Sequence, residues 1–254
     1  MGRFFIVFLF CLSVSSAAWG NDLIAAQSAL NLGDYEQAHA LAKDLDTAEG
    51  YALASEALAR QVFLGETDSL KKTSKKARKL AVKALELDPN HQSARLQYAV
   101  SDGFVARLTN DVSAWMKKLP QKSYANIQAY REAYPEDPRG DALLGAWHLG
   151  VVRKTGDKNA TKWFGASIKQ GQALFEKALI ENPNDIVVIV NYAVSLMSLN
   201  EEDYSDWSKP KTLLSQISEM PTEDDLSKTI IEKGQKIREH CENTTSSRLH
   251  QNYQ

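Results

Sequence analysis

Three stretches of the chain end alike, and their reading decides the fold: Ala77-Arg78-Lys79-Leu80-Ala81-Val82-Lys83-Ala84-Leu85-Glu86-Leu87-Asp88-Pro89-Asn90, Ile127-Gln128-Ala129-Tyr130-Arg131-Glu132-Ala133-Tyr134-Pro135-Glu136-Asp137-Pro138, and Phe175-Glu176-Lys177-Ala178-Leu179-Ile180-Glu181-Asn182-Pro183-Asn184-Asp185. In each, alanine and large apolar residues recur at helical spacing and run into an acidic or amide residue and proline. Proline cannot continue a helix and biases the residue before it toward extended backbone, so each stretch ends for a steric reason. A new helical pattern starts promptly after each proline. Nine residues beyond Pro89, Pro138 and Pro183 stand Tyr98, Trp147 and Tyr192, and Tyr98-Ala99-Val100-Ser101 is echoed by Tyr192-Ala193-Val194-Ser195.

These features predict an all-α chain of antiparallel helix pairs. Helices are expected near 22–32, 34–45, 47–63, 68–87, 91–107, 111–133, 139–154, 158–181, 185–199, 209–218 and 222–241. Val187-Val188-Ile189-Val190 has strand-like branching, but a proline turn precedes it and a periodic Tyr192, Leu196, Leu199 face follows, which favours a buried helix. Thr222 with Asp225 resembles a capping box for the last helix. Residues 201–210 read as a polar connector.

The helix pairs, the small residue at each crossing and the proline turns resemble tetratricopeptide repeats. Ala29-Leu30-Asn31-Leu32-Gly33-Asp34-Tyr35-Glu36-Gln37-Ala38 looks like an N-terminal unit of the same kind. The resemblance implies an irregular tetratricopeptide-like α-solenoid over 21–241, because the three prolines are 49 and 45 residues apart whereas the family repeat is about 34. The surplus falls around Thr109–Tyr124 and Thr155–Gln170, as lengthened second helices or short inserted turns. Residues 139–200, through Leu143-Leu144-Gly145-Ala146-Trp147 and Phe175-Glu176-Lys177-Ala178, also partly resemble the repeat region of regulator-of-microtubule-dynamics proteins; only the fold is borrowed from that likeness.

In the tetratricopeptide family the first helix of each pair lines a concave binding surface. Carried over by register, that surface comprises Leu96, Gln97, Val100 and Phe104, then Gly145, Ala146, Trp147 and Leu149, then Val190, Asn191 and Val194. Family members that clamp a peptide carboxylate use lysine, arginine and asparagine there, and only Asn191 has a counterpart. An apolar lining suits either a greasy ligand or partner helix, or filling by the protein's own inserted segments, for which the long spacing provides spare chain.

The first twenty residues read as a secretory signal peptide: Arg3, an apolar run from Phe4 to Val14, then small residues with Ala18 and Gly20 at a cleavage site. An N-terminal membrane anchor is the alternative. Phe10 ahead of Cys11 argues against lipidation. Cleavage would leave Cys241 as the single thiol, so stability must come from packing. Residues 242–254 read as a disordered tail. The expected location is periplasmic or secreted.

Thirty basic and thirty-two acidic side chains, a formal charge of −2, give no global case for nucleic acid. Lys71, Lys72, Lys75, Lys76, Arg78, Lys79 and Lys83 share one expected helix and could meet an anionic membrane surface, although a solvated outer face is the simpler reading. His39, His91, His148, His240 and His250 are scattered without metal-ligand spacing, and no phosphate-binding glycine loop or G-x-S-x-G turn occurs. His148 takes the position of Ala99 and Ala193 in the sibling helices and is expected to be a core histidine bonded to a neighbouring turn. No catalytic residues, metal or cofactor are expected. The function implied is an exported scaffold or adaptor that binds another envelope protein or peptide segment. The alternative is an accessory subunit of a tripartite ATP-independent (TRAP-type) transporter, binding a hydrophobic small molecule; the chain resembles those subunits in architecture alone.

Overall fold

The computed structural model describes residues 16–222 and 224–243. Residues 1–15 of the expected signal peptide and 244–254 of the expected tail lie outside the described residues. The described residues are all-α, with thirteen helices and no strand. They are α1 (Ser16–Asn31), α2 (Tyr35–Asp44), α3 (Ala48–Leu64), α4 (Leu70–Leu87), α5 (Gln92–Arg107), α6 (Asp111–Met116), α7 (Leu119–Ala133), α8 (Pro138–Thr155), α9 (Asp157–Phe164), α10 (Ile168–Glu181), α11 (Ile186–Met197), α12 (Ser208–Ile217) and α13 (Asp225–Asn243). No described helix is long and apolar enough to cross a membrane.

Side-chain caps start most of these helices. Asp34, Thr47, Ser69, Asn110, Asp137, Ser167 and Asp185 each accept a hydrogen bond from a backbone N–H in the first turn, and each contributes about 1 kcal/mol to its helix. The last helix is capped by Asp224, whose carboxylate accepts from the Ser227 N–H at 2.8 Å, rather than by Thr222. Two expected long helices are each broken in two. Between α6 and α7, Lys118 adopts a left-handed conformation (φ 52°) ahead of Pro120 in the first turn of α7. Between α9 and α10, Gly165 does the same at φ 66°. The chain around 109–124 and 155–170 thus includes two short helices, α6 and α9.

Most helices adjacent in sequence pack together, α5 packs on α7 and α8 on α10 across the short helices α6 and α9, and a further set of contacts joins α3 to α5, α5 to α8, α8 to α11, α11 to α13, and α13 back to α3. The return is held by polar contacts: the Lys233 ammonium donates to the Leu64 carbonyl and pairs with Glu66 at 2.9 Å, and Arg60 lies 3.7 Å from Asp224. One hydrophobic core runs through most of the molecule, with Tyr192, Phe175, Leu149 and Leu30 among its fully buried side chains. Phe175 and Tyr192 stack at 4.7 Å, 10° from parallel, and join α10 to α11.

Two buried acids fasten this set of helices to their outer neighbours. Asp102 of α5 accepts from Arg78 of α4 at 2.6 Å and from Asn126 of α7 at 3.0 Å. Asp141 of α8 accepts from Arg131 of α7 at 2.8 Å and from Lys177 of α10 at 2.7 Å. Each carboxylate thus satisfies its lone pairs on both sides, which buried charge requires.

Candidate functional site

A cavity of about 300 Å³ opens between α5, α8 and α11, with Phe63 of α3 facing it. Helical periodicity explains its walls. On α5 the stripe that lines the cavity is Val100, Gly103, Phe104 and Arg107; on α8 it is Leu143, Ala146, Trp147, Gly150 and Lys154; on α11 and its C-cap it is Val187, Asn191, Ser195 and Ser198. These positions recur every three or four residues and so share one face of each helix. Pro120, Ser123 and Ile127 of α7 line the gap between α5 and α8. Gly103 and Gly150 make room, because a Cβ added at Gly150 meets nothing within 4 Å and at Gly103 meets only the Ser123 hydroxyl at 4.0 Å.

The inserted helices border the end of the cavity where α5 and α8 terminate. Trp115 of α6 and Phe164 of α9 both reach its lining and meet edge to face at 5.8 Å. Trp163 meets Trp115 at 6.1 Å. These two short helices therefore cover one end of the cavity. Around them Val112, Trp115, Met116 and Trp163 remain exposed, at 53–77% of their surface. Trp147 is held in place by its indole N–H, which donates to the Pro120 carbonyl at 2.9 Å, and by Tyr124 with ring centres 4.8 Å apart.

Of the residues expected on the concave surface, Val100, Phe104, Ala146, Trp147 and Asn191 line this cavity. Leu96, Gln97, Leu149 and Val190 are buried between helices and do not, and half-buried Val194 packs on the core. Gly145 faces α10, where an added Cβ would lie 2.8 Å from the Phe175 ring and 2.9 Å from the Gly171 carbonyl. Leu149 packs over Gly171 in the same crossing. On α11 the apolar stripe through Val190 and Val194 turns into the core, while the stripe with Asn191, Ser195 and Ser198 faces the cavity. Gly103, Arg107, Gly150 and Arg153 also line the cavity, although glycine and arginine at such positions resemble turn and surface residues in sequence.

The charged lining consists of Arg107, Asp111, Arg153 and Lys154. Lys154 pairs with Asp111 at 2.6 Å and donates to the Thr109 carbonyl at 3.1 Å. Burial pushes the pKa of Arg107 down, and the positive charge of Arg153 adds to that shift. Burial lowers Arg153 as well, opposed by Asp111.

His148 stands outside the cavity, on the α10 side of α8. It is buried, and its Nδ1 accepts the Ser167 backbone N–H at 3.2 Å. Burial first, and then the Arg131 charge, push its pKa down to about 4, so the ring is neutral at pH 7. The basic run lies on α4. Arg78 pairs with Asp102, Lys83 donates to the Tyr51 hydroxyl at 2.6 Å over the ring face, and Lys72, Lys75, Lys76 and Lys79 are exposed. Cys241 falls in α13. Among the described residues no three or more His, Cys, Asp or Glu side chains gather as a metal site. No family model matches the chain, and no curated protein matches it either.

Proposed function

We propose that the chain is a non-enzymatic, tetratricopeptide-like solenoid that holds a small, largely apolar molecule in the cavity between α5, α8 and α11. The observation that carries this reading is a space of about 300 Å³ walled by Val100, Phe104, Trp147 and Val187, at the lower end of the roughly 300–1,000 Å³ of small-molecule sites. With α6 and α9 over one end, the space suits a compact molecule better than a partner helix, whose diameter with side chains is about 10–12 Å. This favours the ligand-binding accessory role, and the N-terminal pattern of Arg3, the Phe4–Val14 run and Gly20 supports work in the periplasm or outside the cell. Native mass spectrometry of gently purified protein should find a co-purifying apolar adduct. The uncharged dye N-phenylnaphthylamine should brighten on binding wild type and not Gly150→Leu, which fills the space. No adduct and no dye uptake would refute the reading.

A scaffold role has one observation in its favour. Val112, Trp115, Met116 and Trp163 form an exposed apolar group on the inserted helices, and such groups commonly mark contact surfaces. Immobilised protein should then retain a defined envelope partner that Trp163→Ser releases; equal retention by both proteins would remove this role.

A further inference from the structure

The cavity has an apolar body and a cationic end, and both belong to helix faces already described. Arg107 continues the α5 stripe one turn beyond Phe104 and Gly103. Arg153 and Lys154 occupy the last turn of α8. Asp111 is the single carboxylate in the lining, and it is engaged by Lys154 at 2.6 Å. Among the described residues Arg107 has neither a hydrogen bond nor an ion pair; burial lowers its pKa first, and the like charge of Arg153 adds to that. Arg107 lines the cavity with part of its side chain exposed, and protein surrounds the charged group closely enough that burial lowers its pKa.

A planar guanidinium in such a place is a receptor for a carboxylate. Its fork of N–H donors matches two oxygens at once, and charge-assisted bonds of this kind are about twice as strong as neutral ones. Behind the guanidinium, Phe104, Val100 and Trp147 offer an apolar wall for a chain. We propose that the ligand is an amphiphile with a single anionic head, such as an alkyl carboxylate, its head on Arg107 and its tail running along α5 and α8. This rests on the cavity reading above and names the chemistry of its occupant.

The test compares dodecanoate with dodecanol and dodecyltrimethylammonium, all below micelle formation and below the solubility limit of the alcohol, by the change in tryptophan fluorescence and by calorimetry. Wild type should bind dodecanoate at least about tenfold more tightly than dodecanol, a difference of about 1.4 kcal/mol, and the cation most weakly. Arg107→Gln should bring dodecanoate to within about twofold of dodecanol while leaving dodecanol unchanged; Arg107→Lys should keep part of the preference. Raising salt should weaken dodecanoate and not dodecanol. Equal binding of dodecanoate and dodecanol by wild type, a preference that survives Arg107→Gln, or a flat salt dependence would each overturn the role of Arg107 while leaving the cavity reading intact. Failure of all three compounds to bind would overturn both.

Discussion

Mild acid should weaken the fold through His148, by an amount the structure allows to be worked out. The imidazole is 6% exposed, its Nδ1 accepts the Ser167 N–H, and its pKa is held near 4 against an ordinary value of 6.5. Below about pH 6.5 the unfolded chain takes up a proton that the folded chain refuses until about pH 4. Stability is therefore complete above the unfolded value and is lost as the pH falls through this window. Between about pH 7.5 and pH 5 the loss comes to roughly 2 kcal/mol, at about 1.4 kcal/mol per pKa unit. The range stays above the titration of Asp137, whose pKa is lowered to about 2. His39 is also lowered by burial and acts in the same direction, so the comparison must isolate His148. Asparagine can accept the Ser167 N–H in its place. Urea unfolding followed by far-ultraviolet circular dichroism should show wild type losing about 2 kcal/mol more than His148→Asn between the two pH values. Equal losses in the two proteins would refute the reasoning.

Other substitutions probe the packing. Gly145→Ala should destabilise by about 1–2 kcal/mol in thermal unfolding, because its methyl would press on Phe175 and the Gly171 carbonyl and part α8 from α10. Gly150→Ala should do the reverse, gaining about 0.5–1 kcal/mol from helix propensity, while dye uptake falls. Asp141→Ala should cost about 2 kcal/mol in denaturant unfolding, since a charged acceptor shared by Arg131 and Lys177 disappears.

The helices were legible because their causes are local. Proline stops, caps and three-to-four-residue apolar spacing act within a few residues, and eleven expected helices correspond to the thirteen found once two are divided. The divisions had signals that length obscured: Pro120 is a good residue for a first helical turn, and Gly165 for a helix end. The cavity was harder to read. Register from the prolines brought Val100, Phe104, Ala146, Trp147 and Asn191 to it, but also placed Val190 and Val194 of α11 on the concave surface. That helix is apolar nearly all round, and the Val190–Val194 stripe packs on the core while Asn191 and Ser195 face the cavity. Gly103 and Gly150 matter through atoms they lack, and Arg107 through the groups around it; neither property is written at a single position. Asp102 and Asp141 depend on partners 24 and 10 residues away by way of Arg78 and Arg131, a tertiary matter.

The return of α13 to α3 changes how this stack should come apart. A linear array of helical repeats frays from its ends, because terminal units have one neighbour each. Here the Lys233 contacts bridge 167 and 169 residues of chain, and α3 and α13 are neighbours to one another. Amide exchange in both helices should slow together and approach the rate of global opening. Closing that seam joins positions 167 and 169 residues apart in the chain, a long loop whose closure entropy opposes its formation.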